Sequence, residues 1–450
     1  MTGLTRQLAE FVAALEIARL PAAAVHTVKR GTIDCIGVLF AGRDEPVVGL
    51  VRDLLRLDAR IGEARVLFDR GFASTPEAAL VNGTAAHALD YDDTGLDGHP
   101  SVVLVPAMLA EGERLGASGA ELVCAYVAGY ETWAELTWRD EDRHHEKGWH
   151  PTAVFGTVAA AAAAARLARL DPERTACALG IAGSMASGLA ANFGTMTKPF
   201  QVGRAAQNGV LAARLAAAGL TASPDALEHR GGFLRALSPA GRVRTDGEIA
   251  AGRDWHILRY GINIKRYPVC YAVHRTIDAV LGLAAKRGFT ADAVEAVDIS
   301  MGRAQAGMLR NHAPRTALDG KFSAEFAVAA AIVAGRVGMA ELKDQFVASA
   351  AVQSIFPKVR VTSVAEFDPE DPLFSPFDEV RIRLRDGTVL ESGPLRRARG
   401  HAQNPVGVDE LRAKFEDCVA GALAHDARDR LFERLFSLEK LPEVAALYGT

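Results

Sequence analysis

The sequence predicts a mainly helical protein in two parts: a large all-helical domain, residues 1–267 with 401–450, and an inserted smaller α+β domain, residues 268–400. Three observations predict this division. Helical periodicity dominates to about residue 260, alternating β-branched residues appear after Pro268, and the last segment, Asp409–Leu435, is helical again. The chain of 450 residues also exceeds the size at which one hydrophobic core usually stops growing.

The first part of the chain carries apolar residues at spacings of three and four, which is typical of helices that bury one face. The stretch from about Leu4 to Leu20 predicts an amphipathic helix, not a signal peptide. Thr157–Ala165 is the longest apolar run. It is shorter than the roughly 20 residues of a membrane span, so it predicts a buried core helix. The other predicted helices are Ile33–Phe40, Val47–Leu57, Pro106–Leu115, Glu121–Leu136 and Gln201–Ala218.

The smaller domain is expected to combine an antiparallel sheet with helices. Val294–Met301 and Val359–Val364 alternate and are rich in β-branched residues, which predicts strands. Asp378–Leu390 predicts a hairpin that turns at Asp386-Gly387. The helical patterns of this domain are Tyr271–Ala285 and Ser323–Ala334.

Composition argues against several classes of function. Hydrophobic residues make up 49% and charged residues 24%, as is ordinary for a globular protein, and the formal net charge is −4. Because there is no basic excess, we expect neither a nucleic-acid partner nor a membrane surface. The five cysteines are far apart and form no CxxC pair. This spacing predicts free thiols in a cytoplasmic protein and no iron–sulfur cluster.

Common cofactor and catalytic signatures are missing from the sequence. It contains no GxGxxG after a strand, no P-loop, no GxSxG and no HExxH. The histidine-rich stretch His144–His150 does not match a helical zinc site, because His150 follows His145 by five residues instead of four. The sequence therefore predicts neither a nucleotide cofactor nor a zinc ion at this stretch.

The densest polar cluster, Asp90–Ser101, holds four carboxylates within eight residues. Such carboxylates repel one another unless something compensates. Three interpretations remain open: a solvated turn between two helices, a magnesium-binding aspartate motif, and a catalytic loop whose acid/base pair is His99 and Asp90. The magnesium site would need a second aspartate-rich motif, which the sequence lacks.

Three further residues are candidates because of their positions. His150 precedes Pro151, which places it at the N-terminus of a helix. Lys198 precedes a helix start, where a cation and free backbone N–H groups bind anions. Lys265 lies at the predicted domain boundary, where clefts commonly bind ligands. A capping role for His150 and an exposed position for Lys198 are the alternatives.

Four strings in this order resemble the MmgE/PrpD family: NGTAAHALDYDDT with HPS, GWHPTAVFGT, TMTKPFQVGRAAQNG and IKRYPVCYAVH. They run from Asn82 to His274, and NPVGVDELRAKF near the end resembles the family as well. The resemblance implies an all-helical domain with an α+β lid, a homodimer, and a small carboxylate substrate. It implies no organic cofactor, and we separately expect no metal ion. Members of the family include 2-methylcitrate dehydratases, cis-aconitate decarboxylases and iminodisuccinate epimerases.

The resemblance also implies which residues form the site: Asp90, Thr94, His99, His150, Lys198 and Lys265. Thr94 would donate a hydrogen bond to the substrate. A tyrosine that the family carries in the lid has no equivalent in Met308–His312, and this difference argues against decarboxylation.

These residue types suit removal of a proton next to a carboxylate. The reaction forms a dianionic, enolate-like intermediate, which Lys198 and Lys265 would clamp as the lid closes. We expect His150 to act as the base and His99 as the acid, with the two roles open to reversal. Asp90 would orient His99 or tune its charge.

The same residues serve more than one reaction. Dehydration of a 2-methylcitrate-like substrate is the leading expectation. Epimerisation of an amino- or imino-dicarboxylate is the next, and decarboxylation of a cis-aconitate-like substrate follows. The non-catalytic alternative is an inactive protein that binds polycarboxylates.

Overall fold

The computed structural model of the chain describes residues 2–55, 62–69, 71–371 and 374–448, and it is mainly helical, as predicted. Its helices, numbered in chain order, are α1 Leu4–Ala14, α2 Ala22–Gly42, α3 Pro46–Leu55, α4 Thr75–His87, α5 Ser101–Leu115, α6 Gly119–Trp138, α7 His144–Lys147, α8 Pro151–Leu167, α9 Pro172–Met185, α10 Thr197–Ala217, α11 Phe233–Leu237, α12 His256–Arg259, α13 His274–Arg287, α14 Arg303–Met308, α15 Ala317–Gly320, α16 Ala324–Ala334, α17 Asp344–Val347, α18 Ala350–Gln353, α19 Val408–Val419 and α20 His425–Phe436. Its strands are β1 Ala64–Arg65, β2 Phe72–Ala73, β3 Val294–Gly302, β4 Val359–Val364, β5 Glu379–Leu384 and β6 Val389–Glu391.

The described residues form two compact units. The larger unit comprises the residues up to Asn263 and from Val408 onward, and the smaller unit is Ile264–Gly407. The predicted boundaries, after residues 267 and 400, lie inside the smaller unit. In this unit the Ile264 N–H donates to the Gly400 carbonyl at 2.9 Å. The chain therefore enters and leaves the smaller unit at neighbouring points, as an inserted segment does.

Helix α8 is the central helix of the larger unit and packs against α1, α5, α6, α9 and α10. Its residues from Pro151 to Ala165 are all buried, so the predicted core helix at Thr157–Ala165 is confirmed. Alanine side chains allow a close approach of the neighbours. A Cβ atom added to Gly209 of α10 would lie only 2.3 Å from the Cβ atom of Ala160.

Helices α4 and α10 also cross at very short distance. A Cβ atom added to Gly203 of α10 would lie 2.3 Å from both the Leu80 carbonyl oxygen and Thr84 Oγ1. On the facing helix, a Cβ atom added to Gly83 would lie 3.0 Å from the Gly203 Cα. This crossing holds the end of α4, which carries His87, near the start of α10.

Two details of the larger unit differ from the sequence-based expectation. The first helix ends at Ala14 instead of continuing to Leu20, and a short 3₁₀ turn at Ile17–Arg19 follows. The Leu15 carbonyl accepts from the Arg166 Nε at 2.6 Å, which gives it a partner outside the helix. The unit also contains the two-residue pair of β1 and β2, so it is not strictly all-helical.

The sheet of the smaller unit has the order β4-β3-β5-β6. The predicted hairpin is confirmed, with Ile382 opposite Leu390 and Gly387 at a φ of 85° in its turn. The antiparallel prediction is wrong for one pair, because β3 and β4 run parallel, with Val297 opposite Val359. Helices α14–α18 lie between these strands and supply the long crossover that parallel pairing requires.

The final segment forms two helices, α19 and α20, where the sequence predicted one helical stretch. From α19, Lys414 Nζ donates to the Tyr91 carbonyl at 2.8 Å and lies 2.5 Å from Asp34 Oδ1 on α2. The end of the chain therefore supports the loop after α4. Within the described part of the chain, no helix is both long enough and apolar enough to cross a bilayer.

Candidate active site

Asp90 begins the loop that joins α4 to α5. Its φ of 54° lies in the left-handed region, which aspartate tolerates better than most side chains do. The Asp90 carboxylate accepts from Lys198 Nζ at 2.9 Å. The unusual backbone thus directs this carboxylate toward the first turn of α10.

Asp93, three residues later, is fully buried. Its carboxyl group accepts from Ser101 Oγ at 2.7 Å and from the Ser101 N–H at 3.3 Å, at the start of α5. Burial, reinforced by the nearby charge of Asp34, raises the pKa of Asp93 well above its usual range. Since Asp92 and Asp93 are both buried, the interpretation of this loop as a solvated turn is wrong.

Asp92 lies between two histidines. One oxygen, Oδ1, accepts from His87 Nδ1 at 2.9 Å, and the other, Oδ2, lies 2.8 Å from His99 Nδ1. Burial alone would raise the pKa of Asp92, but the two imidazoles hold it well below its usual range. The carboxylate nearest His99 is therefore Asp92, where the sequence suggested Asp90.

The hydrogen bonds of His99 indicate which of its nitrogens carries a proton. Nδ1 lies 3.0 Å from the Asp93 carbonyl oxygen, which can only accept, so Nδ1 is the donor. Nε2 lies 3.8 Å from Asp90 Oδ1. A second proton on Nε2 would place the imidazolium between the carboxylates of Asp90 and Asp92.

His150 lies at the N-terminus of α8, as predicted from Pro151. Its Nδ1 lies 2.7 Å from Gln201 Oε1, while the Gln201 amide nitrogen donates to the Leu189 carbonyl. Gln201 therefore accepts the Nδ1 proton, and Nε2 carries the lone pair. Among the described residues, His150 Nε2 is buried and has no hydrogen-bond partner. Burial is the main reason why the pKa of His150 falls to about 2, and the positive charge of Lys198 lowers it further.

Lys198 lies in the first turn of α10, as predicted, with its ammonium on Asp90. The same ammonium is 5.6 Å from the ring centroid of Phe193. The Phe193 ring also contacts the His150 ring edge-to-face, at 4.9 Å between centroids. Phe193 thus forms an apolar wall that Lys198 and His150 share.

The two remaining predicted site residues are Thr94 and Lys265. The Thr94 N–H and carbonyl pair with Asn263 at 2.9 and 2.8 Å, which fixes the backbone of Thr94. Lys265 lies in the smaller unit and is only 2% exposed. Whether it meets the other candidates stays a prediction, whereas Asp90, His99, His150 and Lys198 are gathered in the larger unit.

Sequence reasoning missed four residues of this cluster: His87, Asp92, Gln201 and Phe193. His87 and Asp92 lie within the string that carried the family resemblance, but nothing in the spacing shows that one carboxylate would serve two imidazoles. Gln201 follows Lys198 by three residues and so shares its face of α10. That spacing was the available indication for Gln201.

One group of side chains among the described residues has metal-compatible geometry. Its potential ligand atoms all lie within 4.8 Å of one another, and its members are His87, Asp90, Asp92 and His99. Such a nitrogen and oxygen set suits a divalent transition metal. However, the Lys198 ammonium already pairs with Asp90, the His87 Nδ1 proton is donated to Asp92, and the His99 Nδ1 proton is donated to the Asp93 carbonyl. A cation would have to compete with the Lys198 ammonium for Asp90 and with the His87 proton for Asp92.

The two outer histidines differ in their surroundings. Among the described residues, no carboxylate pairs with His150, which offers a lone pair at Nε2, whereas His99 has two carboxylates within 4 Å. One site can thus accept a proton at His150 and donate one from His99. The nearby Lys198 supplies positive charge for an anionic group.

Two family models match the chain. The MmgE/PrpD N-terminal domain matches residues 6–246, and the MmgE/PrpD C-terminal domain matches residues 267–438. The chain belongs to the MmgE/PrpD family. This confirms the resemblance seen in the four sequence strings, and the histidine cluster of this MmgE/PrpD protein lies within the N-terminal match.

Curated relatives of this MmgE/PrpD protein include cis-aconitate decarboxylases. The protein of that name from Mus musculus is 27% identical and covers 99% of this chain and 93% of its own length. The one from Homo sapiens is 26% identical over 99% of this chain and 94% of its own length. A third, from Aspergillus terreus, is 25% identical over 99% of this chain and 95% of its own length.

Proposed function

We propose that this protein is a lyase that removes a proton next to a carboxylate of a small di- or tricarboxylate, with dehydration of a 2-methylcitrate-like hydroxy acid as its reaction. The observation that carries the proposal is the opposite surroundings of His150 and His99 in one cluster. Dehydration needs a base and an acid at the same time, and these two side chains supply one of each.

In this reaction, His150 Nε2 takes the proton from the carbon next to the substrate carboxylate. The electron pair of the broken C–H bond forms the new carbon–carbon double bond. The neighbouring C–O bond breaks, and the hydroxyl group leaves as water after His99 Nε2–H protonates it. Asp92 Oδ2 and Asp90 Oδ1 lie 2.8 Å and 3.8 Å from the two ring nitrogens of His99.

Charge neutralisation is the second requirement, because the intermediate carries an added negative charge next to a carboxylate. The Lys198 ammonium is paired with Asp90. A substrate carboxylate would compete for this ammonium and share it. From the family resemblance we further propose that Lys265 and Thr94 contact the substrate, and that the smaller unit acts as a lid.

Decarboxylation is the second candidate, because the curated relatives at 25–27% identity carry that name. In that reaction the carbon–carbon bond to the carboxylate breaks and carbon dioxide leaves. The electron pair of the broken bond moves into the substrate and shifts its double bond. The carbon that receives the electrons takes a proton from His99. This reaction needs an acid but no base, so His150 would have no role in proton transfer.

Proton NMR in deuterium oxide separates these reactions. The purified protein is incubated with 2-methylcitrate, citrate, cis-aconitate and an amino-dicarboxylate. Loss of a Cα–H signal with appearance of an olefinic product supports dehydration, while carbon dioxide release from cis-aconitate supports decarboxylation. Exchange or inversion without net loss of water would instead indicate epimerisation.

The variants sharpen this test. We expect His150→Gln to lower dehydration by roughly 100- to 10,000-fold. His425→Gln is the matched control, because that side chain is exposed on α20. If His150→Gln keeps full dehydration, the assignment of the base is wrong. Binding of citrate that depends on Lys198, without turnover of any compound, would favour the inactive binding protein.

Chelation addresses the metal-dependent alternative. We expect EDTA to leave turnover unchanged, because the proton transfers use side chains of the chain itself. Loss of activity with EDTA, restored by a divalent ion, would instead assign the His87, Asp90, Asp92 and His99 group to a metal.

A further inference from the structure

One buried carboxylate connects two imidazoles beside the candidate active site. Asp92 is fully buried, and its two oxygens are 2.9 Å from His87 Nδ1 and 2.8 Å from His99 Nδ1. The rings of His87 and His99 also touch edge-to-face, with centroids 4.5 Å apart. Asp92 and both rings therefore form one packed unit.

His87 is the member that the proposed reaction does not use. It is the last residue of α4 and is 1% exposed, so neither of its nitrogens faces bulk solvent. Burial is the main reason why its pKa falls to about 4, although Asp92 opposes this shift. His87 is therefore neutral, donates its Nδ1 proton to Asp92, and carries no charge to offer a substrate.

We infer that His87 is a positioning residue: its Nδ1–H holds the Asp92 carboxylate in the orientation that keeps the Nδ1 proton of His99 in place and leaves His99 Nε2 for the substrate. This inference rests on the acid role proposed for His99. His87 acts through Asp92 and does not touch the reacting atoms.

The physical reason is that a carboxylate can turn about its bond to the side chain. The Asp92 Oδ1 atom accepts a hydrogen bond from His87, while Oδ2 only lies close to His99 Nδ1, so without His87 the carboxylate would lose the hydrogen bond that directs it. Asp92 could then turn, and His99 could adopt its other tautomer, with the proton on Nε2 and the lone pair toward Asp92. Partners that orient a functional imidazole commonly change activity by about 10- to 100-fold when they are removed.

Two amide substitutions at position 87 distinguish the effect of the hydrogen-bond donor from the effects of side-chain polarity and volume. The amide nitrogen of asparagine is attached to the same carbon position as Nδ1 of histidine, so His87→Asn keeps an N–H toward Asp92. The amide nitrogen of glutamine reaches the position of Nε2, so His87→Gln keeps polarity and volume but loses that donor. A purely structural role would not distinguish the two variants by donor position.

The decisive measurement is the tautomer of His99, observed by nitrogen-15 NMR on uniformly labelled full-length protein without substrate. We expect the wild type and His87→Asn to show His99 protonated at Nδ1. We expect both His87→Gln and Asp92→Asn to show a mixture of the two tautomers, because the Asp93 carbonyl remains as an acceptor for the Nδ1 proton. The His99→Gln spectrum assigns the signals.

Turnover provides the second readout. In His87→Gln, we expect kcat to fall by about 10- to 100-fold with KM within about twofold, and His87→Asn to recover most of kcat. An unchanged His99 tautomer in folded His87→Gln would overturn the inference. Equal impairment of the asparagine and glutamine variants would overturn it too. Because the NMR comparison needs no substrate, it tests the role of His87 independently of whether the proposed reaction is correct.

Discussion

His150 is kept neutral by its environment, and this has a consequence for pH dependence. Burial and the nearby positive charge of Lys198 lower the pKa of His150 to about 2, while Gln201 accepts its Nδ1 proton. A base with so low a pKa is unprotonated at every pH where the protein would work. The free enzyme therefore does not lose its base when the solution is moderately acidified.

Gln201→Glu should change this behaviour. A carboxylate at position 201 would favour the imidazolium form of His150 and raise its pKa towards neutrality. The base would then be protonated below the new pKa, so kcat/KM should fall as the pH decreases from about 8 to 5. The wild type should not show this added loss. The measurement is kcat/KM against pH for both proteins.

Gln207→Glu is the matched control for that experiment, because it adds the same charge to α10 about 9 Å further along the helix axis than Gln201. Its pH profile should follow the wild type. Parallel profiles for Gln201→Glu and the wild type would contradict the role of Gln201 as the acceptor from His150.

At the scale of elements, the crossing of α4 and α10 is set by glycines. We expect Gly203→Ala to destabilise the protein by about 1–3 kcal/mol, because its Cβ atom would overlap the Leu80 carbonyl and Thr84 Oγ1. It should also lower activity, since the displaced helices carry His87 and Lys198. Urea unfolding and turnover measure the two effects.

Gly282→Ala is the control for this substitution. Gly282 lies in α13, and a Cβ atom there would meet nothing within 4 Å. Alanine should therefore leave stability unchanged or raise it by up to about 1 kcal/mol, because it favours the helix. Equal stability of the Gly203→Ala and Gly282→Ala proteins would show that α4 and α10 can move apart without a loss in the free energy of unfolding.

The pair of Lys414 and Asp34 links α19 to α2 in the interior of the larger unit, and both side chains are buried. Lys414→Met should destabilise the protein by about 3 kcal/mol at pH 8, because it leaves Asp34 buried without its cation. Lys440→Met, at an exposed position, should have little effect.

The pH dependence of that loss has a definite sign. Burial raises the pKa of Asp34 in the folded protein, and Lys414 opposes this rise. Without Lys414 the pKa should rise further, so the folded state holds a proton that the unfolded state releases. The variant should therefore lose stability as the pH increases, and its difference from wild type should be smallest in acid. A constant difference between pH 5 and 8, measured by urea unfolding, would contradict this account.

At the scale of the whole molecule, the family resemblance predicts a homodimer. Light scattering on the eluting peak of a size-exclusion column should give twice the mass of the chain. Turnover per chain, measured after dilution to nanomolar concentration, should then show whether activity depends on the dimer. A monomer with full activity would contradict the prediction.

The site could be predicted in part, and the reasons differ between residues. His150 and Lys198 stand next to prolines at helix starts, a local pattern that the sequence displays, and the structure places both where the pattern indicated. His87 and Gln201 lie inside helices with no such pattern. Their roles depend on which side chain from another helix faces them, and spacing along one helix does not contain that information.

The same division holds for the fold. The sequence by itself determined the mainly helical character, the buried alanine helix, the hairpin and the family, because each depends on local periodicity or on short motifs. Only the tertiary structure decided that β4 joins β3 in parallel, that the first helix stops at Ala14, and that Asp90, Asp92 and Asp93 pair with Lys198, two histidines and Ser101. The physical reason is that a carboxylate taken out of water needs a hydrogen-bond or charged partner, and the packing of the helices and of the loop decides which side chain comes within reach.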